Sequence, residues 1–164
     1  MAEGAAPRRG YRGYIASRAV RGATTPQRVQ NLVIRDYAER RGLMYLMSLA
    51  EYAMPGSFMM LENVLAELPK IEGVILFSAF MLPPQRRRRL EIYQRIFRTG
   101  ASLHAALENY ALTAPGGVEP FEDLLGAALL LERVPLHGRY PKSGIALSQS
   151  DDPFARALAL KPEA

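Results

Sequence analysis

The sequence contains no cysteine and only two histidines among its 164 residues. Without cysteine the chain forms no disulfide, offers no thiolate nucleophile and holds no cysteine-based metal site. Two histidines are too few for a histidine-rich metal centre, so neither a metal nor another cofactor is predicted. No apolar run approaches the about 18 residues of a membrane span, and the first residues lack the apolar core of a secretory signal. We therefore expect a cytoplasmic protein that makes no membrane contact.

Composition favours one folded domain with a basic surface. Hydrophobic residues make up 49% of the chain, which is enough for a substantial core. The formal net charge is +5, and much of the excess lies in an N-terminal arm and in the run Arg86 to Arg89. Such an excess permits a nucleic-acid, phosphate or acidic partner without requiring one. We interpret the arginine run as a solvated helix start, because positive charge there opposes the helix dipole.

Strand-like and helix-like segments alternate four times along the chain. The pattern predicts a single-domain, Rossmann-like α/β fold with a mostly parallel four- to five-stranded sheet and helices on both faces. Residues 1–10 are predicted to be a disordered basic arm, residues 11–134 the α/β domain, and residues 135–164 an extended tail that contacts another subunit. The predicted strands are residues 12–17, 43–53, 73–80 and 101–112, and the predicted helices are residues 24–42, 55–68, 83–100 and 118–134.

Polar side chains follow each predicted strand. Ligands of open α/β sheets bind beyond the carboxyl ends of the strands, so side chains from four loops are expected to meet at one edge. Each residue alone is a weak signal, and their convergence is the informative point. The candidates are Ser17 and Arg18 after the first strand, Glu51 and Tyr52 after the second, Ser78 after the third, and Glu108 and Asn109 after the fourth.

Roles for these residues follow from their chemistry. Arg18 is suited to hold a phosphate or carboxylate through paired hydrogen bonds. A partly desolvated Glu51 or Glu108 would have a raised pKa and act as general acid or base, the alternative being a salt bridge or a solvated carboxylate. Ser17 is interpreted as a hydrogen-bonding neighbour, because a nucleophilic serine needs a nearby base. The predicted catalytic residues are Glu51, Tyr52, Ser17 and Glu108, and the predicted substrate-binding residues are Arg18, Ser78, Arg12 and Asn109.

The order of elements resembles the catalytic domain of the serine recombinases, the resolvases and invertases. In that family the first strand ends in an Arg-x-Ser pattern that supplies a nucleophilic serine, and a later strand is followed by an Asp-Arg-Leu-x-Arg pattern. Residues 13–20, GYIASRAV, resemble the first strand, but Ile15 stands where the pattern has arginine. Residues 79–84, AFMLPP, contain neither the aspartate nor the arginines. The resemblance therefore implies shared architecture, with recombinase-like phosphoryl transfer or nucleic-acid binding kept as an alternative function.

A second resemblance covers about residues 10 to 112. The strings VQNLVIRDY and EYAMP, with their flanking residues, resemble the sporadic carbohydrate cluster proteins, small bacterial proteins of sugar and polysaccharide biosynthesis loci. This resemblance implies an enzyme of carbohydrate biosynthesis that acts on a sugar, sugar phosphate or nucleotide-linked sugar by isomerisation, elimination or group transfer. It predicts a small-molecule sugar-type substrate, makes nucleic acid an unlikely partner, and is compatible with a homodimer or higher oligomer. The third hypothesis for the function is a non-catalytic partner of a sugar-pathway enzyme.

Overall fold

The computed structural model describes residues 7–133, which form an α/β domain around one five-stranded sheet. The sheet order is β2-β1-β3-β4-β5, with β1 to β4 parallel and β5 antiparallel to β4. This arrangement confirms the predicted fold class. The strands are β1 (Tyr11–Ala16), β2 (Tyr45–Glu51), β3 (Gly73–Leu76), β4 (Ser102–Ala105) and β5 (Tyr110–Leu112). The helices are α1 (Gln27–Arg40), α2 (Met59–Ala66), α3 (Arg86–Arg98) and α4 (Val118–Arg133), with short 3-10 helices at Ala79–Met81 and Pro115–Gly117.

The core lies on both faces of the central strands. Every residue of β3 is buried, as expected for a parallel strand that has helices on both sides. Gly13 allows β1 and β2 to approach closely, because a Cβ atom there would lie 2.0 Å from the Ser48 hydroxyl oxygen. The pairing continues to the carboxyl ends of both strands, where Ala16 is opposite Glu51.

The predicted fourth strand, residues 101–112, is two strands joined by a tight turn. The turn is closed by a hydrogen bond from the Asn109 N–H to the Ala106 carbonyl (3.2 Å), and Asn109 has a positive φ of 52°. Asparagine tolerates this left-handed conformation better than most residues, so the chain reverses without glycine or proline. As a result, Glu108 lies in the turn and not at the end of a strand.

The chain termini were assigned to an arm and a tail by composition. Residues 1–6 of the arm and the whole predicted tail, residues 135–164, lie outside the described residues. The last part of the arm is held to the domain. The Arg9 N–H donates to the Lys70 carbonyl (3.1 Å), and the Gly10 N–H donates to the Glu72 carboxylate (2.7 Å).

Candidate functional site

Ser17 is exposed where β1 leaves the sheet. The buried side chain of Gln30 fixes this point, because its amide accepts from the Ala16 N–H (3.0 Å) and donates to the Ala16 carbonyl (2.7 Å). The Ser17 hydroxyl accepts a hydrogen bond from the side-chain amide of Gln27 (2.5 Å). Sequence reasoning missed Gln30, although a glutamine on the apolar side of a predicted helix is a signal that it needs a buried partner. The serine is thus presented to solvent on a rigid support.

Three guanidinium groups lie over two phenyl rings beside this point. Arg18 is 4.7 Å and Arg88 is 5.0 Å from the centre of the Phe58 ring, and Arg21 is 4.5 Å from the centre of the Phe80 ring. Cation–π attraction holds a guanidinium in such a position while its edge still carries N–H donors. One Arg18 N–H donates to the Ser57 carbonyl (2.6 Å), which orients the group further. We call Arg18, Arg21 and Arg88 the arginine rim.

An open cavity of about 310 Å³ lies next to the arginine rim. Both phenyl rings and Arg18 line it, and the remaining wall is mostly apolar and includes Leu125 and Leu129 of α4. Its volume is at the lower end of the range for small-molecule and cofactor pockets, about 300 to 1,000 Å³. The site therefore combines positive charge at its edge with an apolar interior.

Glu51 lies at the end of β2, as expected, but its carboxylate is buried and serves as an anchor for α2. The pKa of Glu51 is lowered: burial alone would raise it, but the hydrogen bonds that the carboxylate accepts outweigh burial. This direction is opposite to the expected one, so the side chain stays ionised at neutral pH. The carboxylate accepts five hydrogen bonds, from the hydroxyls of Tyr14 (3.1 Å) and Ser57 (2.9 Å) and from the N–H groups of Tyr52 (3.0 Å), Met60 (3.0 Å) and Leu61 (3.2 Å).

Glu108 and Ser78 are brought together across the ends of β3 and β4. The Ser78 hydroxyl donates to the Glu108 carboxylate (2.6 Å), which also accepts from the Ala79 N–H (2.9 Å). Ser78 in turn accepts from the N–H of Phe80 (3.2 Å). The pair fastens the β4–β5 turn to the short helix that carries Phe80, so it positions one ring of the site.

Of the eight predicted site residues, Arg18 alone lines the cavity, and the three not yet described lie elsewhere. The Arg12 guanidinium is bound to the Glu67 carboxylate (2.5 and 2.9 Å) and to a carbonyl of β2. Asn109 accepts a hydrogen bond from Arg41 (3.1 Å) in the turn after β4. Tyr52 follows β2 with its side chain 53% exposed. Their roles in binding or catalysis stay predictions.

The arginine run at the start of α3 is not simply a solvated helix end. Arg89 is buried, and its guanidinium makes a bidentate ion pair with Glu122 of α4 (2.6 and 2.8 Å). Tyr93 also donates to this carboxylate (2.7 Å). The hydrogen bonds to Glu122 raise the pKa of Arg89. Arg86 and Arg89 have the same spacing as the two α4 glutamates that they contact, Glu119 and Glu122, and this matched spacing is the signal that was overlooked.

His104 is a buried, neutral side chain on β4. Its ring nitrogens are within hydrogen-bonding distance of the Tyr37 hydroxyl and the Ser102 hydroxyl, at 2.9 Å each. Burial lowers the pKa of His104 to about 4. The ring therefore joins β4 to α1 and lies apart from the arginine rim.

Two classes of feature are not found within residues 7–133. No group of three or more acidic or imidazole side chains is placed to bind a metal ion. Every helix in this range is too short or too polar to traverse a lipid bilayer.

The sheet order and the parallel strands are those of a resolvase-type fold. Solved structures that share it include the N-terminal catalytic domain of TP901-1 integrase and a resolvase family site-specific recombinase from Streptococcus pneumoniae. The integrase domain has a TM-score of 0.52 and 15% identity over 74% of this chain and 96% of its own. The pneumococcal recombinase has a TM-score of 0.53 and 10% identity over 76% of this chain and 91% of its own. No family model and no curated protein sequence matches the chain. At these identities the likeness establishes the fold.

These comparisons correct the functional prediction. The expectation of a carbohydrate-biosynthesis enzyme with a small-molecule sugar substrate is wrong, because the structures that share the fold are recombinase domains. The judgement that nucleic acid is an unlikely partner is wrong for the same reason. No comparison supports the resemblance to the carbohydrate cluster proteins, and the recombinase-like alternative is favoured instead.

Proposed function

We propose that this chain is a nucleic-acid-binding protein of resolvase-type fold, and that the arginine rim contacts the phosphate backbone. The observation that carries the proposal is the placement of three guanidinium groups over Phe58 and Phe80 at the carboxyl end of the sheet. Arginine matches phosphate geometry and supplies much of the affinity of nucleic-acid-binding proteins. A nucleic-acid partner also agrees with the cytoplasmic location expected from the sequence.

The local charge balance supports an anionic partner. Two buried carboxylates of the surrounding elements are already engaged: Glu51 by five donors within the fold, and Glu122 by Arg89 and Tyr93. Among the described residues, neither carboxylate makes a hydrogen bond or ion pair with Arg18 or Arg88. Arg18 and Arg88 therefore keep their positive charge beside the cavity, over the Phe58 ring.

The test is DNA binding as a function of salt concentration, measured by fluorescence anisotropy with a short labelled duplex. Binding should weaken steeply between about 50 and 200 mM salt. Replacing one rim arginine, as in Arg18→Ala or Arg88→Ala, should reduce the slope of log affinity against log salt by about 0.9 on duplex DNA, because one phosphate contact is lost.

Arg87 provides a matched control on the same turn of α3. Its side chain is 92% exposed and pairs with Glu91, one helical turn away. Arg87→Ala removes the same charge as Arg88→Ala but no contact with Phe58. Equal losses in the two variants would contradict a specific rim, and the absence of any salt-dependent binding would overturn the proposed function.

The exposure of Ser17 favours a second candidate, in which the bound phosphodiester is also cleaved. The serine oxygen would form a bond to phosphorus while the bond from phosphorus to one sugar oxygen breaks, and water would carry the serine proton to the departing sugar oxygen, giving a covalent protein–DNA adduct. Within residues 7–133 the side-chain partner of the hydroxyl is the Gln27 amide, which donates and cannot remove its proton. A denaturing gel would show the adduct for the unmodified protein and not for Ser17→Ala, and no adduct in either sample would exclude this activity.

A further inference from the structure

We infer that the cavity beside the arginine rim receives an unpaired nucleobase, so that the protein prefers single-stranded or locally opened nucleic acid to intact duplex. This inference rests on the proposed function and specifies the form of its ligand. The base would occupy the cavity interior, whereas the phosphate would bind at the cavity edge.

The cavity has the two chemical characters of one nucleotide. Arg18 contributes a cationic group at the wall, and a phosphate is its best-matched partner. The interior is lined by the two α4 leucines and by the parts of Phe58 and Phe80 that face the cavity, and this apolar surface suits packing against a base. Base contacts with aromatic side chains and arginine planes tolerate any sequence, because every base has such a face. One nucleotide therefore satisfies both parts of the site.

The shape of the cavity argues against an intact duplex as the occupant. A paired base is enclosed by its neighbours in the stack, so only its edge faces a groove. A concave site that can hold a ring becomes filled only when the base leaves the stack, which costs least for a strand that is already unpaired. Phe80 is held at the site by the Ser78–Glu108 pair, so the pocket wall is in place before the ligand binds.

Leu129 allows the cavity to be blocked without altering the arginine rim. It lines the cavity and is 45% exposed, so a larger side chain fits without repacking the core. Leu130 is the matched control, because it is next in α4, is 64% exposed and does not line the cavity. The variants are Leu129→Trp and Leu130→Trp, each checked for an unchanged thermal melting curve.

The experiment compares a short labelled single strand with the same sequence as a duplex, by anisotropy at low salt. The unmodified protein and Leu130→Trp should bind the single strand about tenfold more tightly than the duplex, the ratio that one stacked base supplies. Leu129→Trp should lose this preference and keep its duplex affinity. A thermal-shift assay with thymidine monophosphate tests whether a free nucleotide binds without the rest of a strand.

Each outcome decides between the two proposals. Equal affinity for both DNA forms, or a preference that Leu129→Trp retains, overturns the base pocket and leaves the proposed function standing. A thermal shift by the mononucleotide that Leu129→Trp abolishes, without binding of either DNA form, supports a nucleotide pocket and overturns the proposed function. Absence of every signal overturns both.

Discussion

The anchoring role of Glu51 predicts that Glu51→Gln destabilises the fold strongly, although the change is nearly isosteric. The amide oxygen can replace the carboxylate oxygen that faces Tyr14 and the first N–H groups of α2. The new NH2 group then points at the Tyr52 N–H, which is 3.0 Å from the oxygen that it replaces. One partly buried donor is left opposed by another donor, and the retained hydrogen bonds lose their ionic character.

The expected cost follows from these contacts. An unsatisfied buried donor costs about 1 to 3 kcal/mol, and hydrogen bonds to a charged group are stronger than neutral ones by about 1 kcal/mol. The amide is easier to bury than the carboxylate, which offsets part of this loss. We therefore expect the free energy of unfolding to fall by about 2 to 4 kcal/mol, a decrease of roughly 10 °C in melting temperature.

The pH dependence supplies a sharper signature. Because folding lowers the pKa of Glu51 from 4.5, its contribution is complete above that pH and is lost as the pH falls through the folded-state pKa. Urea unfolding followed by circular dichroism should give a lower free energy of unfolding for Glu51→Gln than for the unmodified protein. This difference should be largest at neutral pH and should decrease as the pH falls. Glu62→Gln is the control, because Glu62 lies on α2, the helix that Glu51 anchors, with its side chain 51% exposed. It should cost less than about 1 kcal/mol. A difference below that size for Glu51→Gln, or one that does not narrow in acid, would refute the anchoring role.

Three further predictions test side-chain packing within the domain. Glu122→Gln should lower the free energy of unfolding by about 3 to 5 kcal/mol, because it leaves Arg89 charged and buried, and a urea melt close to that of the unmodified protein would contradict this. His104 should titrate near pH 4 by proton NMR, and stability should fall as pH falls from about 6.5 to about 4, because the unfolded chain takes up the proton first; a midpoint near 6.5 would contradict its burial. Gly13→Ala should destabilise the fold by about 1 to 3 kcal/mol through overpacking, while Gly126→Ala in α4, where a Cβ meets no neighbour within 4 Å, should stabilise it by up to about 1 kcal/mol; thermal melts that reverse this order would contradict the assigned spacing of β1 and β2.

The sequence by itself determined the architecture, because hydrophobic periodicity is a local property. Four alternations of strand and helix were enough to predict a mostly parallel sheet and to bring Ser17 and Arg18 to its carboxyl end. The turn at Asn109 was not predicted, because a single asparagine in a left-handed conformation interrupts no hydrophobic pattern. The fold class was therefore predictable, and the number of strands was left between four and five.

Tertiary structure alone decided what the polar residues do. Glu51 was expected to be a titrating acid, but the N–H groups of α2, which follow it in sequence by several residues, surround its carboxylate only in the folded chain. Arg89 was counted among solvated charges until α4 supplied Glu122. Burial and long-range partners determine the pKa and the role of Glu51 and of Arg89. Neighbouring residues in the sequence reveal neither the burial nor the partners.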